Sequence, residues 1–232
     1  MGPRLRFPGN ISLNSVTINR IRAKPFGDPR VSGISRVVTQ TSHIYRYRVD
    51  ASDTIVAVDE WWLAFAKENN SLDLDEASVV GKSLWSFIAD SPTQKLYKEI
   101  HRFVRVTGNP ITVPFRCDSP TLRRYMQLTI TRHDKQHLDY ESVLLRAVPS
   151  RRLALLDPIQ QRSAAFLTMC SFCKRSLIEP SGWLEIENIA IKLRLYREQT
   201  VPEIRYTVCP DCEDHFGSNR QELESSSEQP PR

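Results

Sequence analysis

Two short segments near residue 43 alternate apolar and polar side chains, which is the pattern of strands with one buried face. Ile44–Asp50 alternates large apolar residues with basic ones, and Thr54–Asp59 forms a second strand-like segment after the turn residues 51–53. A period of two residues places every second side chain on the same face of a strand. Two such segments joined by a short polar turn predict an antiparallel hairpin.

A helical middle follows the hairpin. Residues 61–70 carry apolar side chains at helical spacing, and residues 84–88 form a short apolar turn. Lys95–Thr107 has a clear helical period, because one apolar stripe runs through Leu96, Ile100, Phe103 and Val104. Such a stripe is typical of an amphipathic helix that packs on a core. His101 lies beside the stripe, so we expect its side chain to be exposed.

Three further strand-like segments complete the first part of the chain. They are Ile111–Cys117, Arg123–Thr131 and Tyr140–Val148. Pro114 cannot donate a backbone hydrogen bond, so it predicts an edge position or a bulge for the first of them. The order of two strands, helices and three strands predicts one antiparallel sheet with helices on one face, an α+β domain over residues 43–149.

Several of these segments resemble a PAS domain. The resemblance lies in Tyr47–Asp50, Val56–Trp62 and Val79–Trp85. A bacterial PAS subgroup with a cysteine-paired tail is similar in Pro114–Pro120 with Arg123 and Arg124, in Met169–Arg175 with Trp183, and in Cys209–Cys212. The resemblance implies a five-stranded sheet that cups a small-molecule cavity or pairs with a partner. It implies no particular ligand, because function resides in the site and not in the fold.

Aromatic side chains are the candidates for lining such a cavity. We predict Phe65, Trp85, Tyr97 and Phe115 there; the competing interpretation is an ordinary core, in which aromatic residues dominate the packing. We expect neither haem nor flavin. A haem would need an axial ligand such as His101, and the Asn-Cys-Arg context of light-sensing, flavin-binding PAS proteins is absent from the sequence.

Four of the five cysteines form two C-x2-C pairs, Cys170 with Cys173 and Cys209 with Cys212. This spacing lets the backbone turn around one ion while both sulfurs point at it, and two pairs complete a tetrahedral four-sulfur site. We predict a structural zinc ion. The alternatives are an iron–sulfur cluster, a redox-active dithiol, four unrelated buried cysteines, and structural disulfides, which a reducing cytoplasm disfavours.

Neighbouring residues add three expectations. His215 lies three residues after Cys212, but four sulfurs already complete a site, and we expect a surface histidine. Cys117 falls within a predicted strand, and we expect a buried, inert thiol. The segment between the cysteine pairs predicts a helix of about 15 residues, because apolar side chains recur there at helical steps: Trp183, Ile186, Ile189, Ala190 and Leu193.

Charge and composition complete the predicted organisation. The 232-residue chain has a net charge of +5, but residues 1–36 contain seven basic side chains and one acidic side chain, so the remainder is close to neutral. We predict a disordered basic tail over residues 1–42, a linker over 150–164, a zinc-binding C-terminal element over 165–216 and a disordered tail over 217–232. The sequence has neither a run of about 18 apolar residues nor a secretory signal, so we expect a cytoplasmic protein without a membrane segment.

No enzyme motif accompanies these features. The sequence has no P-loop, no dinucleotide-binding glycine motif, no G-x-S-x-G and no H-E-x-x-H. We therefore expect a non-enzymatic signalling or regulatory module that acts through a protein partner or a homodimer, with a small-molecule ligand as a further option. Two alternatives stay open, a zinc-dependent nucleic-acid-binding transcriptional regulator and an iron–sulfur redox sensor. Acidic residues offset the basic ones around the cysteines, so we do not expect nucleic acid, whose phosphates need clustered cations.

Overall fold

The computed structural model of the protein describes residues 43–68, 75–196 and 200–217. The predicted tail over residues 1–42 lies outside the described residues, as does the predicted C-terminal tail apart from Gly217. Within the described ranges the chain forms two β-sheets. No helix in these ranges is long and apolar enough to cross a membrane.

The first sheet is built from five antiparallel strands. They are β1 (Ile44–Val49), β2 (Ile55–Val58), β3 (Ile111–Arg116), β4 (Leu122–Arg132) and β5 (Leu138–Pro149). Their spatial order is β2-β1-β5-β4-β3, with Tyr47 of β1 opposite Tyr140 of β5. The prediction of an α+β fold with a PAS-like five-stranded antiparallel sheet is therefore confirmed. Pro114 lies on β3, which is an edge strand as expected.

Three helices accompany this sheet: α1 (Glu60–Glu68), α2 (Glu76–Val79) and α3 (Ser91–Thr107). Burial alternates along β4, where Met126, Leu128 and Ile130 point into the core while their neighbours stay partly exposed. α3 begins four residues before the predicted start. The reason is an N-cap, because the Asp90 carboxylate accepts a hydrogen bond of 2.8 Å from the backbone N–H of Thr93.

A second sheet, which the sequence patterns did not predict, follows the first. Its strands are β6 (Arg162–Cys170), β7 (Ser176–Ile178), β8 (Gly182–Leu184) and β9 (Val201–Thr207), in the spatial order β8-β7-β6-β9. β9 runs parallel to β6, whereas the other pairs are antiparallel. β6 begins inside the segment predicted as a linker, and Leu153 and Leu155 of that segment are buried in the second core. Part of residues 150–164 thus belongs to the second sheet and its core.

The helix expected between the two cysteine pairs is much shorter than predicted. Helix α4 (Ile186–Lys192) has seven residues instead of about 15, and Trp183 lies in β8. Gly182, with a φ of 75°, begins β8 after the turn from β7. The apolar spacing therefore crosses from a strand into a helix. Arg194 adopts the left-handed conformation (φ 55°) just after the helix, and Leu193 is exposed.

Two hydrophobic cores meet near the cysteines. The second core gathers side chains of the second sheet and α4, among them Leu167, Met169, Ile189 and Ile204. The first core lies mainly between the first sheet and its helices, but it also contains residues of the C-terminal part: Cys170, Phe172, Cys209, Cys212 and Phe216. Residue 216 belongs to a last helix, α5, which covers residues 210–217. The C-terminal part is therefore packed against the first sheet's core.

Candidate metal centre

Two loops at one edge of the second sheet carry the four cysteines. Cys170 is the last residue of β6 and Cys173 lies in the following turn, while Cys209 follows β9 and Cys212 lies in the first turn of α5. Because β6 and β9 are parallel, their carboxyl ends meet at the same edge, where Cys170 pairs with Thr207. The parallel pairing thus joins two cysteine pairs that are separated by 35 residues.

Short backbone hydrogen bonds close both loops. In the first cysteine loop, Cys170 to Cys173, the N–H of Cys170 donates to the carbonyl of Arg175 at 2.8 Å. Lys174 has a φ of 61°, in the left-handed region that lets the chain reverse within few residues. The second cysteine loop, Cys209–Cys212, is closed by a 3.0 Å hydrogen bond between the backbones of its end residues. Each loop directs its two sulfurs toward the same point, so that four sulfurs meet there.

The four sulfur atoms lie close enough to share one ion. All four Sγ atoms lie within 4.8 Å of one another, and those of Cys173 and Cys209 are 3.6 Å apart. A disulfide bond measures about 2.05 Å, and all four cysteines are free thiols. Zn–S bonds of about 2.3 Å in a tetrahedral site place neighbouring sulfurs about 3.8 Å apart. The cysteines are therefore positioned to bind a metal ion.

Arg175 is a neighbour of this site that the sequence analysis did not single out. Its Nε donates to the Sγ of Cys173 at 3.4 Å, and its terminal nitrogen Nη2 donates to the Sγ of Cys209 at 3.8 Å. The same nitrogen donates to the carboxylate of Asp211 at 2.7 Å. Hydrogen bonds and a cation beside sulfur stabilise the thiolate form that a metal ion requires.

Hydrogen bonds among the four thiols lower the pKa of some of them and raise the pKa of others. Bonds from Cys173, then Cys209 and Cys212, lower the pKa of Cys170, whereas the bond that each makes with Cys170 raises the pKa of Cys209 and of Cys212. For Cys173, the bond with Cys170 raises the pKa, but those with the other two thiols lower it, to about 6. A metal ion held by these four sulfurs would compete with protons for them, so its affinity should fall as the pH falls.

The first cysteine loop also contacts the first sheet and α3 directly. The backbone N–H of Arg116, at the end of β3, donates to the carbonyl of Phe172 at 2.7 Å. The hydroxyl of Thr93 on α3 donates to the hydroxyl of Ser171 at 2.9 Å. The ring of Phe172 lies 5.8 Å from that of Tyr97, between centroids. The loop is thus shared by the candidate metal site and the first core.

Ion pairs of a buried arginine also join the first sheet to the C-terminal part of the chain. The guanidinium of Arg116 is 6% exposed and pairs with Asp118, with Glu185 at 2.6 Å and with Glu187 at 2.9 Å. Arg123 of β4 also pairs with Glu187. A buried charge of this kind is tolerated only when it is paired and hydrogen-bonded. These pairs join β3 and β4 to the first turn of α4 and to Glu185, the residue before it.

His215 and Cys117 do not belong to the cluster of four sulfurs. His215 is half-buried on α5, with its ring 6.1 Å from that of Phe216, and it is not part of the sulfur cluster. Cys117 is buried in the first core, and its backbone N–H donates to the carbonyl of Arg124 at 3.0 Å. Its inertness stays a prediction.

The aromatic residues predicted to line a cavity all lie in or against the first core: Phe65, Trp85, Tyr97 and Phe115. The buried ring of Phe65 lies 4.4 Å from that of Tyr45, between centroids. Two surface pockets adjoin α3 instead. One, of about 680 Å³, reaches from α3 to β3 and α5, and the other, of about 720 Å³, follows the polar side of α3. The predicted cavity residues line neither pocket, so their role in ligand binding stays a prediction.

A buried polar network beneath α3 also escaped the sequence analysis. His101 is 1% exposed, so the expectation of an exposed side chain is wrong. Its Nδ1 lies 2.7 Å from the carboxylate of Asp53, and its Nε2 lies against the hydroxyl of Tyr140. Because a carboxylate only accepts hydrogen bonds, Nδ1 carries the proton and Nε2 accepts from the tyrosine. Arg105 donates to the same carboxylate at 2.7 Å.

Comparison with known proteins assigns neither a family nor a function. No protein-family profile matches the chain, and no curated protein matches it. Among solved structures, the sensory box sensor histidine kinase from Vibrio cholerae is similar at 11% sequence identity and a TM-score of 0.32, over 47% of this chain and 84% of that chain. A TM-score of this size does not support an inference about the fold or the function of this chain. The fold and the candidate site rest on the sheet topology and the cysteine geometry.

Proposed function

We propose that this chain is a non-enzymatic signalling or regulatory module. The PAS-like domain, residues 43–149, binds a protein partner or a small ligand, and a structural zinc ion stabilises the C-terminal element. The proposed ligands of the zinc ion are Cys170, Cys173, Cys209 and Cys212. The observation that carries this proposal is the convergence of four sulfurs within 4.8 Å at the junction of the two cores. Four protein ligands leave no open position for a substrate, which favours a structural role over a catalytic one.

The spacing of the sulfurs favours one zinc ion over an iron–sulfur cluster. A cluster distributes its cysteines over two or more irons that sulfide ions bridge, so sulfurs on different irons lie far apart. Here all four Sγ atoms lie within 4.8 Å of one another, and one pair measures 3.6 Å. These distances fit ligands of one tetrahedral ion. Four thiolates at tetrahedral spacing are a donor set that zinc prefers.

The ion pairs of three arginines near the cysteines argue against the nucleic-acid alternative. Arg175 donates to two sulfurs and to Asp211, and Arg116 is buried among carboxylates. Arg123 is paired with Glu187. Phosphate binding needs cations that are accessible and clustered. We therefore favour a protein partner or a second copy of the chain. The packed state of the predicted cavity aromatics favours the same choice over an enclosed ligand.

Metal analysis of the full chain, purified without oxygen, tests the proposal. We expect one zinc ion per chain and no visible absorbance. A brown protein that contains iron and acid-labile sulfide would contradict the zinc assignment and select the redox-sensor alternative. A protein without bound metal, even after zinc is added to the reduced chain, would contradict the four-cysteine site itself.

A further inference from the structure

We propose that Cys173 is a site of oxidation by hydroperoxides, and that Cys209 captures the oxidised sulfur as a disulfide and so releases the metal ion. The proposal deepens the function proposed above, and it rests on a metal ion being held by the four cysteines. It originates in an asymmetry among the four sulfur ligands.

Exposure separates Cys173 from the other three cysteines. Cys170 and Cys209 have no accessible surface and Cys212 is 5% exposed, whereas Cys173 is half-buried. A hydroperoxide must touch a sulfur atom to oxidise it, and the susceptibility of a cysteine follows its thiolate character and its exposure. Metal coordination keeps all four as thiolates, so exposure decides among them. Cys173 is therefore the first to react.

The position of Cys209 makes it the partner of the oxidised sulfur. Its Sγ lies 3.6 Å from that of Cys173. The guanidinium of Arg175 donates to both sulfurs, which holds them side by side. A disulfide needs a separation of about 2.05 Å, so a small movement of either side chain is sufficient. The same guanidinium places N–H donors next to the reacting sulfur, where they can stabilise a leaving oxyanion.

The reaction has two steps. First, the thiolate of Cys173 attacks one peroxide oxygen: an S–O bond forms, the O–O bond breaks, and the sulfur passes two electrons to the peroxide. The departing alkoxide, or hydroxide from hydrogen peroxide, takes a proton from solvent, and a sulfenic acid remains. Second, the thiolate of Cys209 attacks this sulfur, the S–O bond breaks, and the hydroxide that leaves takes a second proton to become water. The site would then offer a metal ion only the sulfurs of Cys170 and Cys212, which are too few to hold it.

Loss of the metal ion acts on the first core through the first cysteine loop. Phe172 lies within this loop, its ring packs near Tyr97, and its carbonyl accepts the N–H of Arg116. Ser171 is tied to Thr93 at the start of α3. Oxidation of Cys173 therefore frees a loop that contacts both β3 and α3. Peroxide is thereby converted into a change in how the first cysteine loop packs against the PAS-like domain.

The test uses the full chain with its metal ion bound. Hydrogen peroxide is added at equimolar amount and then in excess, a chromogenic chelator follows metal release, and peptide mapping after thiol trapping identifies the modified cysteines. We expect metal release to keep pace with the loss of two thiols, and the disulfide to join Cys173 to Cys209. A thiol reductant with added zinc should restore the starting state. The Cys117→Ser variant is the matched background, because every thiol lost from it comes from the four-cysteine site.

Three other outcomes are decisive. If Cys170 or Cys212 is modified before Cys173, or if a disulfide joins Cys170 to Cys173, the roles proposed for Cys173 and Cys209 are wrong. Metal that stays bound while free glutathione in the same solution is oxidised would overturn the sensitivity to peroxide. A chain that holds no metal before peroxide is added contradicts the proposed function instead, so the two failures are distinguished.

Discussion

The two sheets of this protein are stabilised in different ways. The first sheet has strands of up to 12 residues and is accompanied by a helix of 17 residues, which together enclose a core of large apolar side chains. In the second sheet, two of the strands have three residues each, and the helix beside them has seven. Elements this short bury little apolar area, and small units need a metal ion, a disulfide or a partner surface to offset chain entropy. The second sheet packs against the surface of the first domain, and the proposed metal ion at the cysteine site would be its second support.

Removal of one sulfur ligand should produce the largest difference between the two regions. In Cys173→Ser we expect the metal to be lost and residues 162–217 to lose their protection against amide exchange, while the first sheet stays folded. Structural zinc in finger peptides contributes on the order of 10–16 kcal/mol at neutral pH, which exceeds what short elements gain from burial. Because Cys173 is only half-buried, lost packing contributes little to the effect. Hydrogen exchange resolved by segment measures the outcome.

The control for this experiment is Cys117→Ser, which removes a buried thiol of the first core and no proposed ligand. It should retain the metal and the protection of the second sheet. Full zinc occupancy in Cys173→Ser, or zinc loss in Cys117→Ser, would show that the proposed ligand set is wrong.

The first sheet could be predicted from sequence because its strands are long enough to display their period. β4 buries every second side chain over most of its 11 residues, and a period of two residues is visible at that length. β7 and β8, with three residues each, show no period. The parallel pairing of β6 with β9 joins segments that are distant in sequence, and no local pattern reports such a pairing.

Removal of the buried charge at the junction should give the second largest effect. In Arg116→Met, the buried carboxylate of Asp118 and the half-buried carboxylate of Glu187 lose this partner. Breaking a buried ion pair by removing one partner costs about 3–5 kcal/mol. Arg46→Met is the matched control, because Arg46 and Glu141 form a pair at 2.7 Å whose side chains are 51% and 40% exposed. That change should cost at most about 1 kcal/mol. Urea unfolding of both variants measures the difference, and equal losses would contradict a buried network.

Acidification should weaken the first sheet through His101. Burial lowers the pKa of His101 below 6.5, although the hydrogen bond with Asp53 opposes this shift. Arg105 also faces the network, and its charge adds to the lowering. The unfolded chain then binds a proton near pH 6.5 that the folded chain does not bind. Stability should therefore fall as the pH drops below about 6.5, by up to about 1.4 kcal/mol per pH unit, until the pH reaches the folded pKa.

Unfolding midpoints at about pH 7 and about pH 5.5 test this expectation. In His101→Gln the amide keeps a donor and an acceptor but has no titration, so the additional loss at the lower pH should disappear. Other titrating groups, including those of the cysteine site, contribute equally to the pH dependence of stability in both proteins. Their contributions therefore cancel when the two slopes are subtracted. Equal slopes would mean that His101 does not carry the pH dependence.

The four-cysteine site could be predicted from the spacing of the cysteines, but the residues that surround it could not. Arg175 follows the first pair by two positions, and nothing in that spacing distinguishes a sulfur-binding arginine from a surface one. For His101 a signal existed. Tyr97, His101 and Arg105 recur every four residues and form a polar row beside the apolar stripe of α3. Its partners Asp53 and Tyr140 come from distant strands and turns, so only the folded chain brings the network together.

The smallest expected effect concerns a single contact between the two regions. The Thr93 hydroxyl donates to that of Ser171 at 2.9 Å, and Ser171 donates to the carboxylate of Asp90 at 3.2 Å. Because Thr93 is buried and valine has nearly its shape, Thr93→Val removes one hydrogen bond and should cost about 1 kcal/mol. Thr112→Val is the control, since that exposed hydroxyl lies 3.4 Å from Thr129 in the first sheet, far from the cysteines in sequence. A chelator should remove the metal faster from Thr93→Val than from Thr112→Val. If both variants release it at the same rate, the first domain does not support the metal site through this contact, and the two regions are more independent than their shared core implies.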